Sequence, residues 1–100
     1  MRVVRTERIL SCIVDPWKIR GIFHLDCNLE EHELKKLAEL YNGRYSKGLR
    51  TAIITVNGKE LTVFSTGKVG VRLAEDEKEA IALVNSVLAY LQQVLLMEEV

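Results

Sequence analysis

From Leu61 to Leu73 apolar and polar side chains take turns: Leu61, Val63, Val69, Val71 and Leu73 on one parity, Thr62, Phe64, Thr66, Lys68, Gly70 and Arg72 on the other. A period of two belongs to a β-strand with one buried and one wet face, because successive side chains point to opposite sides. Just upstream, Asn57-Gly58 separates a strand ending at Val56 from one starting at Lys59, the strongest short signal for a two-residue hairpin. Ser65-Thr66-Gly67 supplies the next reversal. The segment therefore predicts a three-stranded meander whose odd residues face a core and whose even residues face away.

Two other stretches repeat their apolar residues at helical spacing. Leu29, Leu34, Leu37, Ala38 and Tyr41 form one stripe, with Asn28 as the expected N-cap, Glu31 completing a capping box, and Asn42-Gly43 as the stop. A second helix is expected from near Asp76, with Glu79 three residues on, to about Met97. Its apolar surface is broad: Ala80, Val84, Val87, Leu88, Leu91 and Leu95 make one stripe, and Leu83, Tyr90, Val94 and Met97 widen it. Such a helix is either deeply packed in a core or a dimer contact.

Upstream, Ile22–Cys27 reads as a strand and Val3–Val14 as a further strand, apolar on both faces, with Asp15-Pro16-Trp17 as the turn between them. The order is strand, strand, helix, strand meander, helix, without repeats or a linker. It implies an α+β fold: an antiparallel sheet with two helices packed on one face and an extra N-terminal strand. Residues 1–100 read as a single domain, since 100 residues with 48% hydrophobic content leave no room for separate lobes.

No secretory leader is expected in Met1–Leu10, which carries three arginines and a glutamate, and no apolar run is expected to reach the length of a membrane span. Cys12 and Cys27 form no CxxC pair, so reduced thiols in a cytoplasmic protein are the expectation.

The formal net charge of zero conceals a partition. Residues 1–20 hold Arg2, Arg5, Arg8, Lys18 and Arg20 against Glu7 and Asp15; residues 42–72 hold Arg44, Lys47, Arg50, Lys59, Lys68 and Arg72 against Glu60. The two helical segments carry the compensating acids. A basic sheet backed by acidic helices follows.

Enzymatic chemistry finds no footing here. Gly67-Lys68 lacks both the glycine five residues earlier and the following Ser or Thr of a phosphate loop, where Thr62 and Val69 stand instead. His24, Cys27 and His32 match no closed zinc spacing, so no metal or other cofactor is expected. On a strand, His24 and Asp26 would share one face while Cys27 points to the other, which breaks up any nucleophile and base pair.

The run Phe64-Ser65-Thr66-Gly67-Lys68-Val69-Gly70-Val71-Arg72-Leu73-Ala74-Glu75-Asp76-Glu77-Lys78-Glu79-Ala80 resembles, without gaps, the end of one structural repeat of the TATA-box-binding protein. Asn42, Gly48 and Leu49 and the helix from Leu29 fall where that family has its counterparts, so the resemblance covers about residues 20–97. It implies a half-domain with helices on the convex side and an open concave sheet. By the same resemblance Phe64 matches a residue that wedges between base steps, Thr66 and Lys68 match polar groove contacts, and Arg72 replaces a threonine. The pattern departs where the second wedge falls at Ser46 and the first-strand asparagine falls near Arg20. With one repeat, a saddle over DNA would need a homodimer.

The expected function is therefore a non-enzymatic module that contacts nucleic acid through Phe64, Thr66, Lys68 and Arg72, helped by Arg44, Lys47 and Arg50. The alternative is a protein-interaction or self-assembly domain, with no membrane partner in either case.

Overall fold

The strands are β1 (Val3–Ser11), β2 (Ile19–Leu25), β3 (Arg44–Ser46), β4 (Thr51–Val56), β5 (Lys59–Phe64) and β6 (Lys68–Ala74), with helix α1 (Glu31–Leu40) after β2 and α2 (Glu77–Glu98) after β6. The computed structural model describes residues 1–98. All six strands join one antiparallel sheet in the order β1-β2-β6-β5-β4-β3, and the helices share a single core with one of its faces. The α+β architecture is as the residue pattern implies.

The meander turns where the residues allow it. Asn57 and Gly58 both hold positive φ, 51° and 78°, the primed turn whose twist matches its strands. At the next reversal Gly67 sits at φ 89° with its backbone against the Cys27 carbonyl, a place that a side chain would occupy only by displacing main chain.

Leu61, Val63, Val69 and Val71 are buried, against Phe23 and Leu25 of β2, Leu34 and Leu37 of α1, and Val84, Leu88 and Leu91 of α2. Each fully buried side chain of this size stabilises the fold by about 1.5–3 kcal/mol relative to exposure.

Several boundaries differ from expectation for identifiable reasons. Leu73 does not continue the buried row: Ile19 pairs with Ala74 and Arg20 with Arg72, so Leu73 is an extra residue at a bulge, with φ 68°, and Ala74 is buried instead. Helix α1 is capped at Glu30, not Asn28, with Glu33 Oε1 accepting the Glu30 N–H at 2.8 Å, and Leu29 just before it is buried in the core. At α2 the anticipated pair forms: Asp76 Oδ1 accepts the Glu79 N–H at 2.8 Å and Glu79 Oε1 accepts the Glu75 N–H at 3.0 Å. Strand β1 stops at Ser11, short of Val14, and β2 spans Ile19–Leu25 where Ile22–Cys27 was expected; β3 was not anticipated.

The expectation that no apolar run approaches a membrane span needs correction. The charges of α2 cluster at its ends, which leaves positions 80–97 uncharged, and by length and composition alone this helix could cross a bilayer. Its inner stripe of Ala80, Val84, Val87, Leu88 and Leu91 is buried on the sheet and α1.

Strand β1 is fastened at two levels. It pairs along β2, and Asn85 Oδ1 and Glu77 Oε2 of α2 accept hydrogen bonds from the Val3 N–H and the Thr6 hydroxyl, both at 2.7 Å. Beyond it the loop to β2 lifts Ile13, Val14 and Trp17 into solvent, with Trp17 89% exposed.

Candidate functional site

Residues directly opposed across antiparallel strands share a face, so the register lays out the uncovered side of the sheet as rows. One row crosses every strand: Arg8, Ile22, Gly70, Thr62, Ile53 and Arg44. The next holds Leu10, Arg20, Arg72, Glu60 and Thr55, and a third holds Arg5, His24 and Lys68. Among the described residues, six cations (Arg5, Arg8, Arg20, Arg44, Lys68 and Arg72) therefore meet two acids there, Glu7 and Glu60.

Both acids are engaged. Glu7 occupies a bulge of β1, and its Oε1 lies 2.6 Å from His24 Nε2. That hydrogen bond, with help from the charges of Lys68 and Arg5, holds the Glu7 carboxyl below its usual range. Glu60 Oε1 accepts from Arg72 Nη1 at 3.3 Å. Among the described residues, Arg8 and Arg20 have no carboxylate within 4.0 Å.

A cavity of about 280 Å³ opens on this face. Arg8, Arg20 and Arg72 wall it together with Leu10, while Ile22, Gly70 and Thr62 form its floor. Arg72 is followed by the Leu73 bulge, and a bulge re-aims the side chains beside it.

Of the residues singled out from sequence, Phe64, Lys68, Arg72 and Arg44 occupy the uncovered face, and Thr66 lies exposed in the turn between β5 and β6. Phe64 is half-buried opposite Thr51. Lys47 and Arg50 stand apart from the rows, in the turn before β4. They line a separate cavity of about 480 Å³ against Glu30, Glu31 and Leu34 of α1 and its cap. There they lie close enough to add to the pull of Lys35 on the Glu31 carboxylate.

Arg5, Arg8 and Arg20 were missed. For Arg20 the signal was present: Arg20, Ile22 and His24 alternate with buried Gly21, Phe23 and Leu25. For Arg5 and Arg8 it was scrambled, since β1 carries two register shifts and its residues change face at each.

Among the described residues no three His, Cys, Asp or Glu side chains converge. Cys12 and Cys27 are free, and burial pushes the Cys27 thiol above its ordinary value.

A scan of protein-family models matches none, and neither the curated proteins nor the solved structures include a match to this chain.

Proposed function

We propose that this protein is a non-enzymatic binding module whose basic sheet face contacts nucleic acid, on a half-domain of the TATA-box-binding-protein type. The observation that carries the reading is the uncovered face of the sheet, on which, among the described residues, six cations stand against Glu7 and Glu60. Phosphate neutralisation by such a surface supplies most non-specific affinity for nucleic acid. Phe64, half-buried, offers its free side for stacking on a base.

The resemblance is supported by two helices sharing one face and by the open sheet on the other. A saddle built from two copies is disfavoured on this reading, because β1 runs along the edge of β2 where the second repeat would pair. The surface of a single chain is then the binding unit. Two free thiols suit a reducing compartment such as the cytoplasm.

Titrating labelled duplex and single strands at two salt concentrations tests the proposal. Neutralising about four phosphates lowers duplex affinity about a hundredfold between roughly 50 and 200 mM salt. Absence of binding to either form at low salt overturns it.

One observation favours a second reading, association with a protein or with another copy. Ile13, Val14 and Trp17 at the hairpin tip, and Tyr90, Leu96 and Met97 on α2, are exposed apolar side chains. Opposite patches of basic sheet and acidic helix would also steer copies together. Light scattering after gel filtration separates the readings: a dimer that Leu96→Asp dissociates supports this one, and a monomer at all concentrations removes the self-assembly form of it.

A further inference from the structure

Gly70 sits in the interior of β6, a strand hydrogen-bonded on both sides. Its φ is not positive, and a Cβ placed there would meet nothing nearer than Thr62 Cβ at 3.9 Å. Neither a turn nor close packing requires glycine at this position. Glycine inside a strand weakens it, and where the backbone does not call for it the residue often marks a place that a ligand approaches.

The neighbouring row makes a second locally unfavourable choice. Arg20 and Arg72 are directly opposed, and like charges in that relation repel. Both features border the same cavity, which Arg8 and Thr62 also line. When several local rules fail together over one cavity, the compensating gain is sought in function.

We propose that the cavity is a binding site for a phosphomonoester dianion. Three arginines line it and Glu60 offsets one of them, which leaves an excess of two positive charges. A phosphomonoester carries about −1.5 to −2 at neutral pH. A backbone phosphodiester carries half of that, so the monoester is the better charge match. Guanidinium groups recognise phosphate oxygens through paired, charge-assisted hydrogen bonds, and the hydroxyl of Thr62 adds a neutral donor. At about 280 Å³ the cavity accommodates a phosphate with part of the group that bears it, yet is smaller than most sites for whole drug-sized ligands. The source of the phosphate rests on the nucleic-acid reading, in which it is the terminal phosphate of a strand; a free nucleotide presents the same chemistry.

Calorimetric titration with inorganic phosphate, deoxyadenosine 5′-monophosphate and deoxyadenosine tests the site itself. The two phosphates bind and the nucleoside does not. A short oligonucleotide with a 5′-phosphate binds about tenfold tighter than its 5′-hydroxyl counterpart, the scale of one strong charge-assisted contact. Arg20→Gln removes the preference, and Gly70→Val, which fills the floor, removes it while the circular dichroism spectrum is unchanged. Equal binding of the monophosphate and the nucleoside, or monophosphate binding that survives both substitutions, overturns the proposal. The two readings fail separately. Oligonucleotides that bind without 5′-phosphate preference sink this site and spare the nucleic-acid reading, whereas a monophosphate that binds when neither oligonucleotide does keeps the site and sinks that reading.

Discussion

Arg20 of β2 and Arg72 of β6 face each other as directly opposed residues on the uncovered side of the sheet, and of the two, among the described residues, Arg72 alone has a carboxylate within 4.0 Å, Glu60 at 3.3 Å. A fold selected for stability alone would not place them so.

Replacing Arg20 by threonine relieves that repulsion with a side chain suited to a strand. The variant is expected to gain about 0.5 kcal/mol, read as a higher urea midpoint with an unchanged slope. Added salt should narrow the gap, since it screens the wild-type repulsion.

Two glycines should answer oppositely to alanine. At Gly70 the new methyl group makes only an ordinary contact, 3.9 Å from Thr62 Cβ, and relief of glycine's entropy is expected to stabilise the fold by about 0.5–1 kcal/mol. At Gly43 the same methyl group would run into the Ile53 carbonyl and the Ile54 side chain, so main chain must move and thermal stability falls. Melting curves of both variants check the contrast.

Phe64→Ala should cost more in binding than in folding. Loss of one base stack weakens nucleic-acid affinity by about 1–3 kcal/mol. The side chain is only half-buried, so the folding cost stays below the roughly 3–5 kcal/mol expected for Phe23→Ala in the core. Binding titrations and urea unfolding of the two variants give the comparison. An unchanged affinity for Phe64→Ala removes the stacking role.

Stability should fall on acidification through the carboxylate range. The carboxyl of Glu7 is held low chiefly by its hydrogen bond with His24, that of Asp26 by the Arg2 backbone N–H, and that of Glu31 by Lys35. Lowered values in the folded state mean that these contributions are complete above the ordinary values of 4.5 for Glu and 3.8 for Asp, and are lost as pH drops below them. Glu7→Gln should make the acid limb shallower, as followed by urea midpoints at a series of pH values. All three groups are solvent-exposed, so each effect is small.

Severing β1 from α2 should loosen the sheet edge locally. Asn85→Ala leaves the Val3 N–H without its acceptor, at a cost of about 1 kcal/mol. Amide exchange is expected to quicken in β1 more than in β5, which is central to the sheet.

The residues themselves determined the element types, the meander and its inward row. Alternation at Leu61, Val63, Val69 and Val71 and the turn chemistry of Asn57-Gly58 are local properties, and burial followed them. The interior of α2 was likewise legible, because its stripe of Ala80, Val84, Val87 and Leu88 recurs at helical spacing. Only the tertiary structure decided where the face changes. The bulge at Leu73 and the register shifts of β1 move side chains across the sheet by adding one residue against a partner strand, an event no single-strand pattern records. The cavity walled by Arg8, Arg20 and Arg72 depends on β6 pairing with β2, from which it is distant along the chain, and on the register shifts that turn Arg8 of β1 to the same face. Lys47 and Arg50 went to the helix side for the same reason: the turn that carries them is positioned by long-range packing, while their charge alone is indifferent to which face receives it.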